Sequence, residues 1–133
     1  MEYNGLKIYF AHPISTYDSD IEIKAIQLIK EKFPDAEIIN PKNIASHDML
    51  DFYNVINECD IFVALVTESG ISLGVLSELY YVLKFKPMPI YDGYDMERLE
   101  NDDLKDVIPL YEKQRIFSKD YEKMQKATVM LCQ

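Results

Sequence analysis

The chain has 133 residues, nearly half of them hydrophobic, which suits one domain around one buried core. Its net charge of −9 repels a phosphate backbone; this excludes nucleic-acid binding as a main task but leaves room for a small anion at a helix N-terminus. Two cysteines (Cys59, Cys132) and two histidines (His12, His47) match no zinc spacing, and no apolar run is long enough to cross a bilayer, so neither a metal site nor a membrane is expected.

Leu6–Ala11 (LKIYFA) is a run of strand formers that stops at His12-Pro13, where proline ends a strand. Ser19 and Glu22 fit a capping box. Ile21, Ala25, Ile26, Leu28, Ile29 and Phe33 make the apolar stripe of the helix that follows, which Pro34 breaks. Ala36–Asn40 reads as a second strand ended by Pro41, and a second helix is predicted over Asp48–Glu58. Cys59 reads as a small buried hydrophobe. Asp60–Val66 (DIFVALV) is apolar at consecutive positions, the pattern of a strand covered on both faces. Ser72–Leu83 reads as a helix with Leu73, Val75, Leu76, Leu79, Val82 and Leu83 inward, and Pro87–Tyr91 as a fourth strand. The acidic stretch Asp92–Lys113 reads as a loop with a short helix. Arg115–Phe117 reads as a fifth, edge strand, and Lys119–Leu131 as a last helix.

Strands alternating with helices imply a parallel sheet. The expected fold is α/β: a flavodoxin/Rossmann-like three-layer sandwich with a parallel sheet of about five strands, one domain over residues 1–133. The opening MEYNGLKIYF has no basic n-region and no cleavage pattern, so a cytoplasmic location is expected. In such sheets ligands bind at the carboxyl ends of the strands, where strand order reverses. That directs attention to the loops His12–Asp18, Pro41–His47 and Thr67–Ser72. The first loop has no glycine, so it is neither a dinucleotide fingerprint nor a P-loop, and no cofactor is expected.

The stretch Glu68–Glu78 (ESGISLGVLSE) joins the strongest strand to the next helix. Gly70 permits a tight turn, and Ser69 or Ser72 can cap the helix. Glu78 shares a helix face with Gly74 and Val75 one turn back and with Tyr81 and Val82 one turn on. Gly74 costs the helix about 1 kcal/mol relative to alanine and leaves open space beside the carboxylate.

At these residues the chain resembles a family. CDIFVALVTESGISLGVLSELYYVLKFKPMPIY is similar to the core of the nucleoside 2-deoxyribosyltransferase superfamily, which includes the deoxynucleoside-monophosphate N-glycosidases. The shared features are Asp60 before the strand, the Ser69–Ser72 loop, the Gly74 to Glu78 spacing and the Lys86-Pro87 strand entry. IYFAHPIS resembles the family's opening strand and loop, so the likeness spans roughly residues 6–91. It implies Glu78 as the nucleophile, Asp51 as the acid that serves the departing base and Tyr9 beside the nucleophile. His12, Ile14, Ser15, Ser69, Gly70, Ser72 and Gly74 are then expected to contact the substrate, a nucleoside or nucleotide, with Tyr17 and His47 shaping the base pocket. Ser15 stands where the monophosphate enzymes carry an arginine for phosphate. The likeness also implies a homodimer or higher homo-oligomer, for which Tyr80, Tyr81 and the last helix are the expected surface. A non-catalytic module sensing a nucleotide-like ligand is the alternative on the same fold.

Overall fold

The computed structural model describes residues 5–44, 49–66 and 70–115. Four strands, β1 (Lys7–Ala11), β2 (Glu37–Ile39), β3 (Ile61–Ala64) and β4 (Ile90–Asp92), form one parallel sheet in the order β2-β1-β3-β4. Five α-helices are described: α1 (Asp20–Lys32), α2 (Met49–Asn57), α3 (Leu73–Phe85), α4 (Asn101–Leu104) and α5 (Val107–Arg115).

The alternation of side chains along a strand sorts the core into two layers. Ile8, Phe10 and Val63 point to one face and pack with Ala25, Ile29 and Phe33 around α1. Tyr9, Ala11, Phe62 and Ala64 point to the other and pack with residues of α2, α3 and α5, including Tyr53, Ile56, Leu79 and Tyr111. The three-layer parallel α/β sandwich is as expected. Strand β1 has β2 on one side and β3 on the other, so chain direction across the sheet reverses there, and the crevice at their carboxyl ends is the natural ligand position.

The described sheet has four strands, not about five. Arg115 closes α5 instead of opening an edge strand, while Phe117 and the helix expected over 119–131 lie outside the described residues. Tertiary packing makes α5 a helix. Tyr111 stacks on Tyr80 at 4.3 Å, and Glu112 accepts hydrogen bonds from the Tyr80 hydroxyl at 3.0 Å and the Lys84 ammonium at 3.1 Å. Pro109 falls in the first turn, where a missing N–H is tolerated.

Two helix faces also depart from the apolar stripes. In α1, Ile21 is 42% exposed and Ile23 51%, while Glu22 between them is buried. Ser19 does cap α1, accepting from the Glu22 N–H at 3.3 Å, but the Glu22 carboxylate accepts from the Asp18 N–H instead of returning to Ser19. In α3, Leu73 is exposed at the first turn. Tyr80 and Tyr81 are fully buried within this chain, Tyr80 under α5 and Tyr81 stacked on Tyr53 at 4.7 Å, so neither is a contact surface for a second copy.

Candidate active site

A cavity of about 360 Å3 opens at the carboxyl edge of β1 and β3. One wall is the loop after β1, with His12, Pro13, Ile14, Ser15 and Tyr17; Pro41 and Phe52 enter from the side, and the start of α3 supplies Ser72, Gly74, Val75 and Glu78.

Glu78 is 7% exposed, and its Oε2 accepts a hydrogen bond from the Tyr9 phenol across the sheet–helix interface. Burial pushes the Glu78 carboxyl up to about 7, and the Tyr9 hydrogen bond pulls the other way. Burial, then the Glu78 charge, holds the Tyr9 phenol well above the ordinary tyrosine value, so it remains a donor. Tyr9 is fixed in turn by stacking on Phe62 of β3 at 5.7 Å.

The start of α3 leaves this carboxylate accessible. Ser72 is the N-cap, its hydroxyl oxygen accepting from the Val75 N–H at 3.3 Å. A Cβ added to Gly74 would meet nothing within 4 Å, so the expected open space beside Glu78 is there. Gly70 has φ +100°, the left-handed conformation that favours glycine, and it turns the chain toward Ser72 without lining the cavity.

The loop after β1 is a single 3-10 turn, Ile14–Thr16. Ile14 and Ser15 are exposed on the cavity side, whereas the His12 side chain is fully buried behind it. Tyr17 lines the cavity with its phenol pKa raised by burial first, then by Glu78 and Glu22.

The structure thus brings Tyr9, His12, Ile14, Ser15, Ser72, Gly74 and Glu78 to one corner. It does not bring Asp51 there. Asp51 is exposed on α2, and its neighbour Phe52 lines the cavity; one residue along a helix turns a side chain by about 100°. Ser69 and His47 lie outside the described residues. Sequence reasoning pointed to the loop that begins at Pro41 but missed Phe52 and the cluster of buried Glu22 and Asn40 with half-buried Lys42 behind the loop.

Because the folded-state pKa of Glu78 is raised, the fold holds its proton more tightly than the unfolded chain does. The contribution of this group is complete at low pH and is lost as pH rises through about 7. Glu78→Gln cannot ionise. Its melting temperature relative to wild type should therefore climb from about pH 5 to about pH 8, by the equivalent of at most about 3 kcal/mol. A difference that is flat with pH would contradict a buried, ionising Glu78. Comparison with known proteins gives no match to a family model, a curated protein or a solved structure, so the functional reading rests on these residues and their geometry.

Proposed function

We propose that the chain cleaves or transfers the N-glycosidic bond of a (deoxy)nucleoside or nucleoside monophosphate, with Glu78 as nucleophile. The observation that carries this reading is one buried carboxylate, held by a phenol, facing a cavity with glycine-sized space beside it. The ionised carboxylate attacks the anomeric carbon, and the electron pair of the C–N bond leaves with the base. Water or a second base then attacks the same carbon and frees the carboxylate. The sugar is cationic in both transition states, so an adjacent anion stabilises them. Tyr9 steadies Oε2 and favours the anion, leaving Oε1 for the sugar. The Tyr17 phenol, which keeps its proton, is the donor we assign to the departing base.

Free nucleosides fit better than monophosphates. No lysine or arginine lines the cavity among the described residues, and the nearby Lys42 ammonium is held at 2.9 Å by both Asp18 and Glu22. One observation favours the alternative, a binding module without turnover: Glu78 is the only carboxylate lining the cavity among the described residues. A homo-oligomer is supported by Ile14 (79% exposed) and Leu73 (42% exposed) beside the cavity mouth, a surface that a second copy would cover. A monomeric mass in light scattering at working concentration removes that part of the reading.

Chromatographic assay of base release from a panel of 2′-deoxynucleosides and their 5′-monophosphates tests the reaction. Wild type should release base at a rate that rises with pH through about 7, as Glu78 ionises. Glu78→Ala should lose roughly a thousandfold or more. Base release that survives in that variant refutes the nucleophile; a wild type that binds nucleosides but never cleaves them leaves the binding module. Gly74→Ala should stabilise α3 by at most about 1 kcal/mol, since it lies in the first turn and its methyl group meets nothing, yet weaken nucleoside binding by filling the space beside Glu78. Unchanged affinity in that variant would show that the ligand sits elsewhere.

A further inference from the structure

The loop that walls the cavity is held by a buried polar cluster that the proposed chemistry does not use. At its centre the His12 ring stacks on Phe10 at 4.3 Å. His12 Nδ1 lies 2.8 Å from Thr16 Oγ1, and Nε2 lies 2.8 Å from Asn40 Oδ1. The Asn40 amide is oriented by its other partners: Oδ1 accepts from the Lys42 backbone N–H at 3.1 Å, and Nδ2 donates to Glu22 at 3.5 Å. Because Oδ1 has no proton to give, Nε2 carries one.

The second ring nitrogen depends on Thr16. The Thr16 hydroxyl is 2.6 Å from the Pro13 carbonyl oxygen, which can only accept. The hydroxyl has one proton. When Nδ1 is bare, that proton faces two acceptors, and one of the two short contacts is left without hydrogen. When Nδ1 is protonated, Nδ1–H donates to Thr16 Oγ1 and the hydroxyl donates to Pro13. Only the doubly protonated ring puts a hydrogen in both side-chain contacts of Thr16; the Thr16 backbone N–H donates to the same Pro13 carbonyl at 2.9 Å in either state.

The charges around the ring allow this. Glu22 of α1 places Oε2 3.5 Å from Nε2, and Lys42 after β2 lies 2.9 Å from both Glu22 Oε1 and Asp18 Oδ1. Among the described residues Tyr17 is the remaining titratable neighbour, its ring 4.8 Å away. Burial raises the Glu22 pKa, but Lys42, Asn40 and the Asp18 N–H outweigh it and hold the carboxyl below its ordinary range, which favours an anion facing the ring.

We propose that His12 is a positioning residue whose protonation adds the Thr16 hydroxyl to the backbone hydrogen bond of the Thr16–Pro13 turn and so tightens the loop walling the cavity. The ring takes a proton from water on Nδ1, and the Thr16 hydroxyl proton turns to the Pro13 carbonyl. Loss of the Nδ1 proton returns the hydroxyl to the ring and leaves that carbonyl with the Thr16 backbone N–H alone. Burial draws the titration below the ordinary histidine value of 6.5, against the pull of Asn40 and Glu22, so the change falls on the acid side of neutrality.

Nitrogen NMR of the full chain labelled with 15N-histidine tests this, with His47 assigned by its loss in His47→Gln. Recording the titration also in Glu78→Gln separates it from Glu78. Near neutral pH, His12 should carry its proton on Nε2 alone. In acid both nitrogens should be protonated, and the backbone amides of Ile14–Tyr17 should shift with the same midpoint. Thr16→Ser should keep that co-titration and Thr16→Val should abolish it. The proposal is overturned by a ring protonated only on Nδ1, by a ring that stays neutral until the protein unfolds, by loop amides that ignore the titration, or by a Thr16→Val titration like that of wild type. The wild-type result decides even if the valine variant fails to fold. None of these readouts requires turnover, so the proposal stands or falls apart from the glycosidic reading.

Discussion

The Tyr9–Glu78 hydrogen bond ties α3 to the central strand at the edge where the crevice opens. Burying a carboxylate away from water is unfavourable unless it is hydrogen-bonded or neutralised. Here both remedies operate: the phenol donates to Oε2, and burial moves the ionisation to about 7, so the group carries charge for only part of the physiological range. A leucine at this position would pack more cheaply. The carboxylate is compatible with the fold because Gly74 leaves the preceding turn open and because Phe62 fixes the Tyr9 ring from below.

The cavity walls answer to this centre in different ways. The α3 wall is built from backbone and small side chains, with the Ser72 cap holding the first turn in place. The opposite wall is a short 3-10 turn with exposed Ile14 and Ser15, and it owes its shape to His12, Asn40 and Glu22 buried behind it and to the half-buried Lys42. The cluster joins α1 to the segments that follow β1 and β2. Lys42 is occupied there by two carboxylates, Asp18 and Glu22, each 2.9 Å from its ammonium.

Much of this was legible in the sequence because it depends on local spacing. Consecutive apolar residues marked β3, and the Gly74 to Glu78 interval put the open space and the carboxylate on one helix face. What depended on distant partners was not legible. The phase of α2 is set by packing against the rest of the fold, and one residue of phase separates Asp51 in solvent from Phe52 in the cavity wall. Helix α5 takes its form from Tyr80 and Lys84 of α3, which lie about thirty residues away in sequence. Periodicity assigned Ile21 to the core, but Lys42, Asn40 and His12 hold Glu22 inward and leave both neighbouring isoleucines exposed.

The central claim is a covalent bond between Glu78 and a sugar carbon. Its most direct measurement is mass spectrometry of peptides from wild-type protein quenched in acid during incubation with a 2′-deoxynucleoside. The account predicts a deoxyribosyl adduct on the peptide carrying Glu78. Base release with no adduct on that peptide, or an adduct on another carboxylate, would contradict it.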